Sequence, residues 1–381
     1  MSGPVLLRGL ALGAALLAAA SASAGDAPGG RRPGADERAA LATGLGRWAD
    51  AHADRVHGGF GTAPKRPHAR LLLALLERPE LRGDAGRRAH LARTLDAILA
   101  GLYDPVDGGF FRAAAARDWR APDTEKPLAL NVGLARVYLR AAQAFGEPRY
   151  AKAADGTVAW LLRWLYDPLE GGFHGAQGAA PAYYRLPAAE RRAARKPAVS
   201  LDKPTAANGE AITGFFELGR ATGRQDLLRA ARLSLEFAQR HLVGAAGVFE
   251  VYRVVAIRGE GRGGLDASAW AARAFLEAHA IYKKQSYRDL AEAILDRALA
   301  EGVDSATGAL EDTGLLAEAL LIAAGLPDGR RAYRDAAARL LGVAGGRLRA
   351  LLVDGRGATP AAVEGAMPAL AAWGRLSGTA R

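Results

Sequence analysis

The chain has 381 residues, of which 50% are hydrophobic and 24% are charged, and it contains no cysteine. This length allows a large core in one or two domains, and the lack of cysteine excludes disulfides and thiol chemistry. The net charge of +11 permits an anionic partner, but the arginines are spread along the whole chain. The tightest basic run, at 191–196, is interpreted as a solvated loop, and we expect no nucleic-acid partner.

The first 24 residues have the pattern of a secretory signal peptide. Arg8 precedes a short apolar stretch, and Ala22-Ser23-Ala24 supplies small residues before Gly25. We expect a signal peptide at 1–24, a flexible tether at 25–35 and a single domain at 36–381. The apolar stretch is too short to span a bilayer comfortably, and no later stretch reaches about eighteen residues without charge. The sequence therefore predicts export to the periplasm or the medium, with no transmembrane segment in the mature chain.

Twelve predicted helices follow, separated by breaks marked with glycine. The even-numbered helices are apolar almost all round, as in LLLALL at 71–76, whereas the odd-numbered ones carry a single apolar stripe. This alternation of buried and amphipathic helices predicts an all-α fold, an (α/α)6 barrel. The predicted helices span 36–53, 67–78, 85–102, 125–145, 148–166, 206–222, 224–242, 266–282, 286–302, 313–325, 329–344 and 360–376.

One short loop occurs three times between an odd-numbered helix and the next even-numbered one. Each copy has an aspartate four residues before Gly-Gly-Phe: DRVHGGF from Asp54, DPVDGGF from Asp104 and DPLEGGF from Asp167. Weaker variants follow the seventh, ninth and eleventh helices, around Gly247, Gly308 and Gly345. The repetition predicts six hairpin units whose loops share one rim of the barrel. We expect the aspartates and glycines to shape the turns.

Three further stretches occur in order along the chain. They are GGFGTAPKRPHARLLLALL at 58–76, W-x-x-P-x-x-E-K-x-L-x-x-N from Trp119 to Asn131, and DKPTAANG at 202–209. Together with GGFHGAQ at 171–177, they resemble the thioredoxin-domain-containing YyaL family, which includes the spermatogenesis-associated relatives. The likeness covers about residues 36 to 345. It implies a six-hairpin glycosidase-like (α/α)6 barrel, distantly related to N-acylglucosamine 2-epimerases, in a family without an established activity.

The chain departs from this family at several polar positions. Family members carry a thioredoxin-like domain with a CxxC motif, which this cysteine-free chain does not contain. Asp123 and Leu130 stand where the family has histidine and aspartate, and Ala207 stands where it has tryptophan. Two family carboxylates after the third GGF are replaced within 177–180. The chain is therefore interpreted as a divergent member.

Acidic residues at the starts of inner helices are the candidates for catalysis. Glu125 and Asp266 would face the same rim and supply the two carboxyls that glycoside chemistry requires, although each is equally well explained as a helix cap. Epimerisation would need two bases, usually histidines in the related epimerases. Only His57, His68 and His174 come near the predicted rim.

Further residues near the rim are candidates for binding a carbohydrate, because aromatic faces stack on sugar rings and polar groups orient them. The candidate substrate-binding residues are Trp119, Lys126, Asn131, His174, Tyr183, Tyr184, Asp202, Lys203 and Asn208. No metal-binding or nucleotide-binding motif occurs, so we expect no metal and no cofactor. Two functions stay open: an exported carbohydrate-active enzyme, either hydrolase or isomerase/epimerase, and a non-catalytic glycan-binding or scaffold protein.

Cleavage after Ala24 should leave a mature protein that begins at Gly25, because small residues precede that bond. Intact-mass measurement of the protein secreted from a bacterial host checks this prediction. An Ala24→Arg variant should keep its leader. Retention of Met1 in the secreted parent protein would contradict the assignment.

Overall fold

The computed structural model describes residues 35–78, 83–302 and 309–377, and most of these residues are helical. The predicted all-α class is therefore confirmed. The predicted signal peptide and tether lie outside the described residues, apart from Ala35, as does the loop variant near Gly308. Within the described ranges, no helix is both long and apolar enough to cross a membrane.

The described residues form fifteen α-helices, three of them shorter than two turns. In chain order they are α1 (Ala35–His52), α2 (Ala69–Glu77), α3 (Ala85–Leu102), α4 (Leu128–Phe145), α5 (Pro148–Trp160), α6 (Pro181–Tyr184), α7 (Ala188–Ala193), α8 (Thr205–Thr222), α9 (Gln225–His241), α10 (Leu265–Tyr282), α11 (Gln285–Ala300), α12 (Leu310–Ala324), α13 (Arg331–Leu352), α14 (Pro360–Gly365) and α15 (Met367–Ser377). A single π-helical turn, Leu161–Leu165, continues α5.

Local sequence explains where these helices begin and end. Asp84 precedes α3 and its carboxylate accepts a hydrogen bond from the backbone N–H of Arg87 at 2.8 Å, which caps the helix. Gly146 and Gly223 end α4 and α8 in the left-handed conformation that glycine adopts without strain. Pro148 opens α5, where its missing N–H costs nothing.

Six helices form a closed inner ring. In ring order they are α2, α4, α8, α10, α12 and α15, each packed against the next, and α15 packs against α2 to close the circle. The outer helices pack behind them, with α5, α9, α11 and α13 against the inner helix that precedes each in the chain. Outer helices end, and inner helices begin, on the same side. The predicted (α/α)6 barrel is confirmed, and the connections on this side form its rim.

Short antiparallel strands pair with one another along the rim. In chain order they are β1 (Ala113–Ala114), β2 (Pro122–Asp123), β3 (Lys126–Pro127), β4 (Ala176–Gln177), β5 (Val199–Ser200), β6 (Lys203–Pro204), β7 (Val243–Gly244), β8 (Gly247–Val248), β9 (Val251–Arg253) and β10 (Arg258–Glu260). The strand β4 lies between β3 and β5, and β9 lies between β6 and β10. Because β3 and β6 run directly into α4 and α8, this pairing fixes the start of two inner helices.

The three complete GGF loops share one backbone conformation. In the second loop, the N–H of Asp104 donates to the carbonyl oxygen of Gly109 at 2.9 Å, and the N–H of Gly108 donates back to Asp104 at 3.0 Å. The first and third loops repeat both bonds. Both glycines of each loop have φ between 72° and 83°. This left-handed conformation explains the Gly-Gly pair.

Each GGF loop also packs against the next outer helix around the barrel. A Cβ on Gly108 would lie 2.6 Å from the carbonyl oxygen of Gly156 in α5, and one on Gly109 would lie 2.7 Å from the Trp160 ring. The first loop meets α3 in the same way at Thr94, and the third meets α9 at Leu233. The loops therefore fasten consecutive outer helices to one another.

The expected loop variant at Gly345 is wrong, because Gly345 and Gly346 lie inside α13, which continues to Leu352. A Cβ on Gly345 would overlap the Trp373 ring, so this glycine permits close packing of α13 on α15 rather than a turn. The variant at Gly247 forms the β7–β8 hairpin instead of a GGF loop.

Gly109→Ala should destabilise the protein by at least about 2 kcal/mol more than Gly146→Ala. Both glycines have a left-handed φ, 75° and 73°, so each substitution carries a backbone cost of roughly 1 kcal/mol. Only Gly109 faces a side chain, since nothing lies within 4 Å of a Cβ on Gly146. Urea unfolding of the two variants gives the difference, and equal losses would contradict the packing role.

Candidate active site

A buried lysine completes each of the three GGF loops. In the second loop, Lys126 Nζ donates to Asp104 Oδ2 at 2.9 Å and to the carbonyl oxygen of Gly108 at 2.7 Å, and both ionised side chains are fully buried. The first and third loops make the same two contacts. These are Lys65 Nζ to Asp54 at 2.9 Å and to Gly58 at 2.8 Å, and Lys203 Nζ to Asp167 and to Gly171, both at 2.8 Å.

At the contact between Lys126 and Asp104, burial and charge pairing shift the pKa of each group in opposite directions. Burial lowers the pKa of Lys126 to about 8, although the Asp104 carboxylate counteracts that shift. Burial would raise the pKa of Asp104, but Lys126 and Arg191 together hold it below the ordinary value. Arg191 Nη1 lies 2.7 Å from Asp104 Oδ1. The charges are retained in the interior because they neutralise each other.

An asparagine five residues after the lysine holds the phenylalanine of two GGF loops. Asn131 Oδ1 accepts from the N–H of Phe110 at 2.6 Å, and its amide donates to the carbonyl oxygens of Phe110 and Pro127. Asn208 makes the same three bonds to Phe173 and Pro204.

Lys126, Asn131, Lys203 and Asn208 are thus fully buried parts of the loops. The structure corrects our expectation that they face a substrate, because their polar atoms already bond to the loop backbone and its aspartates.

Trp119 also differs from our expectation. Its side chain is only 2% exposed, and its indole N–H donates to the carbonyl oxygen of His57 at 2.9 Å. The ring packs over Gly59, as Trp160 packs over Gly109 and Phe237 over Gly172. Trp119 is therefore the aromatic cover of the first GGF loop rather than an exposed rim aromatic.

Tyr183 and Tyr184 lie in α6, within a segment that fastens onto the second loop. The Tyr183 hydroxyl donates to Asp107 at 2.7 Å and accepts from Lys196 Nζ at the same distance. The Tyr184 hydroxyl donates to Gln177 at 3.1 Å. Both hydroxyls have partners within the protein, and the substrate-binding role of these tyrosines stays a prediction.

Three other candidates remain partly exposed at the rim. Glu125 Oε2 lies 3.1 Å from Arg112 Nη1, and His174 Nδ1 lies 2.7 Å from the carbonyl oxygen of Leu201. Asp202 pairs with Arg253. Each of these side chains pairs with a neighbour on the rim and keeps some solvent access, so their functional roles stay predictions.

The residue that organises the interior of the barrel is Arg70, which sequence reasoning missed. From α2 its guanidinium donates to Glu210 of α8 at 2.9 Å and pairs with Glu311 of α12. It also lies 5.9 Å from the centre of the Trp270 ring of α10. None of these three helices is a ring neighbour of α2, so the side chain must cross the central opening of the barrel. Arg70 therefore forms the floor of a funnel.

The funnel wall next to Arg70 is rich in carboxylates. Burial, then the neighbouring Asp266 and Glu311, raise the pKa of Asp312 in the first turn of α12. Glu364 of α14 lies 2.8 Å from His68 Nδ1 through one oxygen and accepts from the N–H of Arg70 through the other. Asp266, from the predicted catalytic pair, thus lies near enough to Asp312 for its charge to contribute to the raised pKa of Asp312.

Ion pairs close the barrel below the floor. Trp270 lies between Arg70 and Arg273, whose guanidinium carbon is 5.2 Å from the ring centre. Arg273 pairs with Glu318 at 2.8 Å and with Glu217 at 3.5 Å. Paired charges thus occupy the barrel interior beyond Arg70 and Trp270.

The opposite part of the funnel wall is apolar. Leu130 in the first turn of α4, and Ala206 and Ala207 in the first turn of α8, are partly exposed. They occupy the same helical turn as Asp266 and Asp312 on the acidic side. The funnel thus combines hydrocarbon with a few carboxylates, as small-molecule sites do. Within the described residues, no cluster of three or more histidine and acidic side chains is arranged to hold a metal ion.

The chain is similar to known proteins both in sequence and in fold. No family model matches it. Spermatogenesis-associated protein 20 from Mus musculus is 34% identical over 131 residues, which are 33% of this chain and 16% of that protein. The resemblance seen in the motifs is therefore confirmed, over a stretch much shorter than the relative.

Solved structures share the fold at low sequence identity. Cellobiose 2-epimerase from Spirochaeta thermophila matches with a TM-score of 0.70 and 17% identity, covering 90% of this chain and 96% of the other. A D-mannose isomerase gives 0.63 and 12%, with coverage of 85% and 88%. A family 76 glycoside hydrolase from Bacteroides thetaiotaomicron, a mannosidase, gives 0.61 and 15%, with coverage of 90% and 97%. These matches identify the fold as the six-hairpin glycosidase-like barrel.

Lys126→Met should lower the free energy of unfolding by about 3 kcal/mol, the lower end of the range for breaking a buried ion pair, since Arg191 still contacts Asp104. The exposed Lys152 provides a matched control, and Lys152→Met should change it by less than about 0.5 kcal/mol. Chemical denaturation measures both. Equal stability of the two variants would reject the structural role of Lys126.

Proposed function

We propose that the protein is an exported sugar-processing enzyme that hydrolyses a glycosidic bond in the funnel beside Arg70. The observation that carries this proposal is that Asp312 and Asp266 lie in the first turns of two adjacent inner helices, where burial and then the charge of Asp266 raise the pKa of Asp312. Glycoside hydrolysis needs one carboxyl that stays protonated and another that is ionised, and neighbouring acids create this difference.

In this proposal Asp312 is the general acid that protonates the departing sugar oxygen, and Asp266 is the carboxylate that acts on the opposite side of the bond. Glu311 cannot serve as easily, because Arg70 holds it as an ion pair. Glu125, the other member of the pair predicted from sequence, lies beside Arg112 on the rim and is the alternative acid. The apolar side at Leu130 and Ala207 would contact the sugar ring.

Epimerisation at a carbon beside a carbonyl is less well supported. It requires two bases on opposite faces of the substrate, and His68 is the histidine that joins the funnel cluster. Its Nδ1 is engaged with Glu364. His174 bonds to the carbonyl oxygen of Leu201, and His57 belongs to the first GGF loop, where its carbonyl oxygen accepts from Trp119; in the described residues neither histidine has a hydrogen bond to this cluster.

A non-catalytic glycan-binding role is the second candidate. Leu130 and Ala207 occupy positions where the resembling family has aspartate and tryptophan, and both lie in the funnel wall. Loss of these groups favours binding without turnover. This candidate keeps the same ligand site but requires no role for Asp312 as an acid.

Asp312→Asn should lower the hydrolysis rate by about 10² to 10⁴-fold while sugar binding persists, since the general acid is lost. The measurement is turnover of a panel of neutral oligosaccharides and aryl glycosides by the protein from Gly25 onward. In the parent protein the rate should fall as pH rises through the elevated pKa of Asp312, because the acid must be protonated. Asp155→Asn, on the exposed side of α5, is the matched control.

The same panel separates the candidates. If Glu125→Gln loses activity while Asp312→Asn keeps it, the general acid is Glu125 on the rim rather than Asp312. Binding without turnover in the parent protein would reject hydrolysis and favour the glycan-binding role. Absence of both binding and turnover for every sugar would reject the carbohydrate proposal.

A further inference from the structure

The three GGF loops carry an exposed aliphatic side chain at the same position. Two residues after the loop aspartate stand Val56, Val106 and Leu169, which are 73%, 41% and 93% exposed. The backbone N–H of each donates to Oδ1 of that aspartate, at 3.2, 3.0 and 3.0 Å. Within the described residues, none of the three side chains packs against the hydrophobic core. The turn therefore uses the backbone of this residue and leaves its side chain to the solvent.

The fold does not explain why this residue is aliphatic. A single exposed aliphatic residue is ordinary on a protein surface, but here it recurs in three equivalent turns. Turns favour glycine, proline, asparagine, aspartate and serine, whose backbones or side chains stabilise the reversal. The residues on either side of it differ between the loops, since they are Arg55 and His57, Pro105 and Asp107, and Pro168 and Glu170. The aliphatic character of the middle residue is kept where its neighbours vary.

The three side chains lie at one level of the barrel. The loops share one backbone conformation, and each packs against the next outer helix at an equivalent place. A Cβ on the first glycine of each loop would contact the carbonyl oxygen of Arg93, Gly156 or Leu233, in loop order. Units that repeat the same contacts around a ring are related by rotation about its axis, so equivalent residues have the same height along that axis. The three aliphatic side chains are therefore all at the rim.

Two more exposed aliphatic residues lie at the turn of a hairpin on this rim. The strands β9 and β10 are joined by residues 254–257, where Val255 and Ile257 are 91% and 73% exposed. The strand β9 also pairs with β6, which contains Lys203 of the third GGF loop. The hairpin thus belongs to the part of the rim beside that loop. We refer to these five exposed aliphatic residues, 56, 106, 169, 255 and 257, as the apolar tips.

Arginines without a carboxylate partner lie beside the apolar tips. Arg55 is part of the first loop, and Arg93 of α3 donates from Nη1 to the carbonyl oxygen of Arg55 at 2.9 Å. In the third loop, the carbonyl oxygen of Glu170 accepts from Nη2 of Arg240 in α9 at 3.4 Å. Arg55, Arg93 and Arg240 are exposed, and in the described ranges none of them forms an ion pair. Their positive charge is therefore available to a partner.

The segment that fastens onto the second loop adds positive charge. Arg185, Arg192 and Arg195 are exposed and form no ion pair within the part of the chain that the structure describes. Glu190 in the same segment and Glu250 beside the hairpin are exposed carboxylates that offset some of this charge. Because the unpaired arginines outnumber them, the surroundings of the apolar tips are net positive.

A lipid surface fits this arrangement better than a folded protein does. Apolar tips on separate loops would each need a matching pocket in a protein partner, whereas the headgroup region of a bilayer accepts apolar side chains at any spacing. Guanidinium groups bind phosphate oxygens with two parallel hydrogen bonds, and they are attracted to the negative surface of anionic lipids.

We propose that the rim of the first three units docks on an anionic phospholipid bilayer. The apolar tips enter the interface between headgroups and acyl chains, and the unpaired arginines contact the lipid phosphates. This docking is independent of the hydrolysis proposed for the funnel.

The test is co-sedimentation of the protein from Gly25 onward with vesicles of phosphatidylcholine containing about 30% phosphatidylglycerol, and with vesicles of phosphatidylcholine alone. The parent protein should bind the anionic vesicles, and binding should weaken as sodium chloride is raised. A triple variant, Val56→Ser with Leu169→Ser and Val255→Ser, should lower the partition coefficient at least about tenfold, since three inserted side chains lose their hydrocarbon. Each of these residues is more than two-thirds exposed, so the melting temperature should not change.

A charge variant and two controls complete the comparison. Arg55→Gln with Arg192→Gln should weaken binding to the anionic vesicles about tenfold and leave binding to neutral vesicles unchanged. The controls are Val343→Ser and Arg339→Gln, which make the same changes at exposed positions on the outer helix α13, away from the rim loops. Each control should bind the anionic vesicles within about twofold of the parent.

Three results would overturn the proposal. The first is a parent protein that does not sediment with the anionic vesicles. The second is an equal loss of binding in the rim variants and in the α13 controls, since net charge alone would then explain the binding. The third is a dimer of the parent in sedimentation velocity that the triple serine variant abolishes while vesicle binding persists. The apolar tips would then contact a second copy of the chain. Turnover of soluble sugars by the triple variant reports separately on the funnel.

Discussion

The buried contact between a lysine and an aspartate, made three times, is the constraint on which the rim depends. A lysine ammonium without water is stable only beside a negative charge and hydrogen-bond acceptors, and each GGF loop provides both. Asp104 can accept from Lys126 only if the chain reverses over Gly108 and Gly109. The loop conformation, the two glycines and the buried ion pair therefore depend on one another. Removing one of them leaves the others strained or unpaired.

This requirement is transmitted to the funnel through the next residues of the chain. Lys126 and Lys203 belong to β3 and β6, which lead directly into the inner helices α4 and α8. Asn131 and Asn208 then bind the first turns of those helices to Phe110 and Phe173. Since the same loops pack on the neighbouring outer helices, they fix inner and outer layers together. The first turns of the inner helices are consequently held around one opening.

The fold was predictable from the sequence, and the roles of the charged residues were not. Glycine and proline mark the helix ends, so most predicted boundaries lie within a few residues of the observed ones. The fourth helix begins at Leu128 rather than 125, because Lys126 and Pro127 form a strand. Charged residues in a motif suggested a site, yet Lys126 and Lys203 are buried. The repeated KPLALN and KPTAAN at 126–131 and 203–208 were the available signal of a shared structural role.

In the first unit, the position that holds a structural asparagine in the other two units is occupied by a residue of the funnel. Five residues after Lys65 stands Arg70, where the other two units have Asn131 and Asn208. Instead of binding its own loop, Arg70 reaches across the barrel to Glu210 and Glu311. Apart from Arg70, the residues that form the GGF loops are different from those that line the funnel. Leu130 and Ala207, the departures from the resembling family, belong to the wall, while the buried lysines and asparagines are kept. The departures from the resembling family therefore lie in the funnel wall, while the buried contacts that form the rim around it are kept.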